Sequence, residues 1–204
     1  MQTLHDIYTA QCITGGREKH LAHVCDYVNH HTNIKDGYTL EFGVAGGITM
    51  SIISKRFKGR PVHGFDTFEG LPKTWDIDPE KYPKGKYTRN GVPPKVSENV
   101  TLVKGRFEDT LPKWKQGKNK PVRFMHIDCD IYEGAKTVLY ALNHLIVPGT
   151  VIAFDELANF ATGTTGKLLE HEWRALNEWS LKYSRQWSVI SRSDAYQAAI
   201  VITK

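Results

Sequence analysis

Four acidic side chains close two apolar runs, Asp128 and Asp130 in HIDCD and Asp155 and Glu156 at the end of VIAFDE. In a parallel α/β sheet, ligands sit outside the carboxyl ends of the strands. Four carboxylates gathered there repel one another unless a cation or a proton intervenes. Hard oxygen donors suit magnesium, which keeps several waters and takes only a few carboxylates. The plainer alternative is a helix cap at Asp155 and a salt bridge at Asp130. A zinc site has no support, because no His/Cys spacing matches one. His126 lies inside its apolar run and reads as a packed core histidine.

A second chemistry is written in LEFGVAGG, Leu40 to Gly47, an apolar run that breaks into glycines and resumes as a helix-like stretch. Glycines between a strand and a helix suit nucleotide binding, but the spacing is GxxGG rather than the dinucleotide GxGxxG, and no GxxxxGK[ST] loop is present. Glu41 precedes the first glycine, where a carboxylate would face a ligand amine and repel a pyrophosphate. Asp66 ends the next strand-like run, where an acid can accept both hydroxyls of a ribose. A ribose and an ammonium group without phosphates describe S-adenosylmethionine better than NAD.

The elements that position these residues follow from periodicity. Leu21, Val24, Cys25 and Val28 have helical spacing within 17–31. Strands are expected at 39–44, 61–65, 100–104, 122–127 and 150–154, and helices at 48–57, 134–145 and 165–183. The last helix alternates charges around Leu168, Leu169, Trp173, Leu176 and Trp179. Two final strands, 186–190 and 197–203, have no helix between them and read as an antiparallel hairpin at one edge. Alternating strands and helices imply a mainly parallel sheet covered on both faces. Residues 71–99, with five prolines, exceed an ordinary connection and read as a substrate loop or lid. Trp75, Tyr82 and Tyr87 within it could stack on a sugar face or simply anchor the loop.

The 204 residues fit one domain, 1–204, with a short helical segment at 1–36. Hydrophobic and charged shares of 40% and 24% are ordinary for a globular protein, and no stretch is long enough to span a bilayer. MQTLHDIYTAQC lacks a basic-then-apolar signal pattern, and Cys12, Cys25 and Cys129 form no disulfide framework, so a cytoplasmic location is expected. The net charge of +5 is mild. Lysines thicken at KWKQGKNK, a solvated turn, but basic and aromatic residues do not interleave as in a nucleic-acid module.

Five blocks in order, EFGVAGG, GFDTFEGLP, GRFEDTLP, FMHIDCDIYEG and PGTVIAFDEL, resemble the macrocin O-methyltransferase family of class I methyltransferases. That resemblance implies a Rossmann-like α/β fold with a seven-stranded, mostly parallel sheet of order 3-2-1-4-5-7-6, its last strand antiparallel. It implies S-adenosylmethionine as cofactor, with Glu41, Gly43 and Gly46 at the methionine end, Asp66 on the ribose, and Thr67 and Phe68 bordering the adenine. Glu108 or Asp109 would hold the adenine edge, and Asp128 would border the cofactor as well. The family's Mg2+ ligands match Asp128, Asp155 and Glu156, and its general base matches Asp130. Glu156 stands where some relatives have Asp, and Cys129 where others have Gly.

The expected activity is methyl transfer to a hydroxyl of a small molecule, a sugar or another vicinal diol. A metal can hold two adjacent hydroxyls and lower the pKa of one. The acceptor would be covered by residues 71–99, with a neighbouring subunit of a homo-oligomer as a second source of cover. The rival readings are a methyltransferase with a non-diol or nucleic-acid acceptor, and a non-catalytic protein that kept the fold.

Overall fold

In the computed structural model the described residues are 3–161 and 166–204. The chain runs α1 (Leu4–Tyr8), β1 (Cys12–Ile13), α2 (Gly16–His31), β2 (Tyr38–Phe42), α3 (Ile48–Arg56), β3 (Val62–Asp66) and β4 (Val100–Lys104). It continues with α4 (Phe107–Trp114), β5 (Val122–Ile127), α5 (Tyr132–Leu142), β6 (Val151–Phe154), α6 (Glu172–Lys182), β7 (Trp187–Ser193) and β8 (Ala198–Ile202). Short 3-10 turns, Asn143–Leu145 and Lys167–Glu170, follow α5 and precede α6. The expected start of the last helix at Thr165 lies outside the described residues. No described helix is long and apolar enough to cross a membrane.

The strands form one sheet in the order β1-β7-β8-β6-β5-β2-β3-β4. From β7 to β4 this is the expected Rossmann-like order, with β8 antiparallel to both β6 and β7. The sheet has eight strands rather than seven. The addition is β1, two residues that pair in parallel with β7 through Cys12↔Arg192 and Ile13↔Ser193. The terminal hairpin is therefore not the sheet edge. A two-residue strand carries no readable periodicity. Helix α4 was also hidden from the pattern, because Pro112 sits inside it where a helix-interior proline is disfavoured.

The central strands are continuous apolar runs because both faces are covered. Every residue of β5 is buried. On one face Leu40, Phe42, Met125 and Ile127 pack with Val138 and Leu139 of α5 and Leu176 and Trp179 of α6. On the other, Phe124, Val62 and Ala199 pack with Val24 and Val28 of α2 and Ile53 of α3.

A third, smaller cluster lies outside the sheet. Leu71 and Trp75 pack against Ile131 and Leu168, with Ile77 and Tyr82 beside them. Leu71 and Trp75 thus fasten the start of the 71–99 segment, most of whose other residues are exposed. Leu71 N donates to Lys86 O, and Gly85 N to Leu71 O, both at 2.9 Å. Trp75 is 3% exposed and anchors the segment in this cluster.

Candidate active site

The strand-to-helix turn after β2 is shaped by two contacts. Gly43 has φ 91°, and a Cβ there would lie 1.8 Å from the backbone oxygen of Asp128. Only glycine lets the ends of β2 and β5 approach so closely. The carboxylate of Asp66, at the end of β3, then clasps the turn. Its Oδ2 accepts from Val44 N at 2.8 Å and Ala45 N at 2.7 Å, and its Oδ1 accepts from Phe68 N at 2.7 Å. Asp66 still lines the cavity, but part of its hydrogen-bonding capacity is spent on holding the turn.

That cavity measures about 590 Å³. Gly43, Gly46 and Thr67 line one side, Glu108 stands at the start of α4, and Asp128, Asp130 and Glu156 form the acidic side. Tyr87 and Leu71, from the 71–99 segment, line it as well. Between the two acids after β4, Glu108 is the one on the lining. Phe68 and Glu41 lie elsewhere than expected. The Phe68 ring is 1% exposed and packs in the core with Val44 and Met50, so it does not border the cavity. Glu41 is fully buried and off the lining, because strand alternation turns it toward its β5 neighbour His126, whose Nδ1 is 3.0 Å from Glu41 Oε1. Of the aromatics in 71–99, Trp75 and Tyr82 pack in the small cluster, the anchoring alternative, while Tyr87 lines the cavity.

The acids divide into two sets. Asp128, Asp130 and Glu156 offer oxygens within 4.8 Å of one another on the cavity side. Asp155, 1% exposed, belongs with His126 and Asp128 instead. His126 Nε2 lies 3.5 Å from Asp155 Oδ1, and Arg17 Nη1 lies 3.2 Å from Asp155 Oδ2. The resemblance groups Asp155 with the metal ligands; the structure turns its carboxylate toward these two cations, while Glu156 reaches the cavity. Buried Oε2 of Glu156 has no protein partner among the described residues. Three convergent carboxylates, one of them with an unpartnered oxygen, are a fitting donor set for a hard divalent cation.

Protonation follows from burial and neighbours. Burial and the charge of Asp155 push Asp130 up to about 7. Burial likewise raises Asp128 and Glu156 well above the usual carboxylate range, with Asp155 adding to both. His126 would be lowered by burial, but its contacts with Asp155 and Glu41 push it up to about 10, so it is a cation at neutral pH. Burial opposes charge on Asp155 as well, and the His126 contact and Arg17 overcome it and hold the carboxyl below its ordinary value. Asp130 has φ 60°, a left-handed conformation that costs a non-glycine residue about 1–3 kcal/mol and gathers at functional sites.

Two residues that pattern reading missed complete the site. Arg17, in the first turn of α2, lines the cavity beside Asp128. Glu172, the first residue of α6 and fully buried, accepts from Glu156 N at 3.0 Å and Cys129 N at 3.4 Å. It fixes the two acidic turns relative to each other. Neither had a signal in its neighbourhood, since TGGREKH reads as an ordinary helix start and HEWRAL as the interior of an amphipathic helix.

Comparison with known proteins agrees with this architecture. CalS11, a calicheamicin methyltransferase, superposes with a TM-score of 0.64 at 21% identity, over 88% of this chain and 77% of that one. The O-methyltransferase NovP gives 0.58 at 19% identity, over 92% and 80%. An O-methyltransferase from Bacillus cereus gives 0.56 at 16% identity, over 97% and 84%. At such identities the likeness is one of fold. No curated protein matches the sequence. The family model described as "Methyltransferase domain" matches residues 40–157, from the glycine turn through the second acidic pair and more than half of the chain. The chain belongs to the methyltransferase-domain family.

Proposed function

We propose that this methyltransferase-family protein transfers a methyl group from S-adenosylmethionine to a hydroxyl of a small molecule bearing two neighbouring hydroxyls, a sugar among them, with the help of a magnesium-type ion. One observation carries the reading. A single cavity holds the glycine turn and Asp66 on one side and the carboxylates of Asp128, Asp130 and Glu156 on the other. Two neighbours support it: CalS11 is a TDP-rhamnose 3'-O-methyltransferase, and the Bacillus cereus enzyme is in complex with SAH. Membership among the macrocin O-methyltransferases is part of the proposal.

Each residue then has a task. The backbone at Gly43 and Gly46 gives the methionine end room, Asp66 and Thr67 stand at the ribose, and Glu108 stands at the adenine edge. S-adenosylmethionine supplies an already activated methyl group, so the protein's work is alignment. Asp128 and Glu156 would hold the ion, whose chemistry is to bind adjacent hydroxyls and make one more acidic. Asp130, near neutrality in pKa, accepts the proton of the reacting hydroxyl at a carboxylate oxygen, an effect typically worth ~10²–10⁴ in rate. Tyr87 and Leu71 narrow the opening and exclude water from the reacting atoms.

The lining speaks against a nucleic-acid acceptor. Its acidic side chains outnumber its basic ones, Arg17, Lys84 and Arg106, and a polyanion would meet net repulsion. Thermal shift with S-adenosylhomocysteine, NAD and magnesium, followed by methyl transfer to a panel of diols with and without EDTA, tests the reading. S-adenosylhomocysteine should stabilise the protein, NAD should not, and chelator should stop turnover. Stabilisation by NAD alone would refute the cofactor assignment, and full turnover in EDTA would refute the metal.

A further inference from the structure

Arg17 enters the site on an arm built to place it. Gly15 and Gly16, at φ 101° and 81°, precede it, and both their N–H groups donate to Asp194, at 3.2 Å each. Asp194 follows β7 directly, so the start of α2 is tied to the β7–β8 hairpin. From that anchor the guanidinium Nη1 lies 3.2 Å from Asp155 Oδ2 and 3.6 Å from Asp128 Oδ2.

The same pair belongs to a longer row. Glu41, His126, Asp155, Arg17 and Asp128 alternate in sign, at 3.0, 3.5, 3.2 and 3.6 Å. The side chains of Glu41, His126 and Asp155 are at most 2% exposed. Buried charges persist only when paired, and here Arg17 is hydrogen-bonded to Asp155 Oδ2 while His126 stands at ion-pair distance from Oδ1, which has no hydrogen-bond partner among the described residues. Asp130 and Glu156 have no ion pair with a basic residue among the described residues, which leaves their oxygens for a ligand. A divalent ion drawn to Asp128 and Glu156 must sit near Arg17, and like charges in a partly desolvated site repel strongly.

We infer that Arg17 is a positioning residue that acts as a resident cation for the Asp128–Asp155 pair, holding Asp155 out of the metal's coordination and weakening the divalent-ion site. This rests on the proposed metal site. Arg17 takes one of the places that the resemblance gives to the ion, so ion binding and the Arg17 contact to Asp128 compete. The price is affinity: the ion binds more weakly than four free carboxylates would allow.

Manganese chloride is the probe, its free ion read by electron paramagnetic resonance, in the whole protein without cofactor or acceptor. Arg17→Gln should tighten Mn2+ binding roughly tenfold, from removal of one nearby positive charge. Arg17→Lys keeps the charge and should stay near the wild-type affinity. Asp155→Asn should change the affinity far less than Asp128→Asn; melting curves check that both fold. Because Arg17 is 38% exposed in its side chain, the glutamine variant tests the inference even where Asp155→Asn does not fold. Equal or weaker binding in Arg17→Gln, with wild type binding, overturns this inference and leaves the metal reading standing. Binding by Arg17→Gln alone supports the inference and removes the metal from the wild-type reaction. Binding by neither overturns both. Loss of Mn2+ in Asp155→Asn as severe as in Asp128→Asn makes Asp155 a ligand and overturns the inference.

Discussion

Gly43 and Asp128 meet backbone to backbone: a Cβ on Gly43 would stand 1.8 Å from the Asp128 carbonyl oxygen. The cofactor side and the acidic side of the cavity therefore share one contact, at the ends of neighbouring strands β2 and β5. A change at either strand end is felt on both sides.

Gly43→Ala tests that sharing. The φ of 91° alone costs an alanine on the order of 1–3 kcal/mol, and the clash forces the strand ends apart in addition. We expect a lower melting temperature together with weaker binding of both S-adenosylhomocysteine and Mn2+. Loss of the nucleoside with undisturbed Mn2+ affinity would show that the two sides are independent.

Asp66→Asn separates a clasp from a ligand contact. Two of the three N–H donors on Asp66, those of Val44 and Ala45, converge on one oxygen. An asparagine must turn its NH2 toward at least one donor, leaving a buried group unsatisfied at about 1–3 kcal/mol. Stability and S-adenosylhomocysteine affinity should fall together. A variant that loses affinity at unchanged melting temperature would make the turn indifferent to Asp66.

Trp75→Ala should act on residues 71–99 rather than on the sheet. Removing a buried tryptophan costs about 3–5 kcal/mol where it packs, and Trp75 packs in the small cluster with Leu71, Ile131 and Leu168 and edge-on to His171 at 5.7 Å. Limited proteolysis should cut the variant within 71–99 at conditions where wild type is intact, while global melting shifts less. Cleavage spread evenly over the chain would place Trp75 in the main cooperative unit.

His20 sets an acid limit on stability. It is buried against Ser191 Oγ at 3.1 Å, and burial pulls its pKa down to about 4. His23 and His126 add repulsion and Asp155 attraction, with burial dominant. The unfolded chain takes up this proton first, near 6.5, so stability is lost as pH falls from there toward 4. The loss approaches about 3 kcal/mol at the lower end. His20→Gln should flatten the melting profile between pH 7 and 4.5; a difference profile without slope in that window would remove His20 as the cause.

Sequence reading picked out residues that line the cavity where the motifs are local. The glycine turn and the two acidic strand ends are contiguous motifs; alternating helices and strands give a mainly parallel sheet, and the strand order is implied by the family resemblance those motifs carry. What it missed are pairings across the sheet. Glu41 has the residue type of a ligand-facing acid, yet its partner His126 is 85 positions away and is fixed only by the register of β2 against β5. Arg17 lies 138 positions from Asp155, and Glu172 lies 43 from Cys129. Periodicity says which face a residue takes, but which side chains meet there depends on packing between elements.

The short strand β1 has a consequence beyond the strand count. Without it the outermost strand would be β7, whose free N–H and C=O groups would offer a template to another chain. Residues 12–13 occupy part of that rim, and four positions later the same segment delivers Arg17 to the carboxylates. Protection against unwanted strand pairing and the electrostatic setting of the cavity are thereby tied to one stretch of backbone.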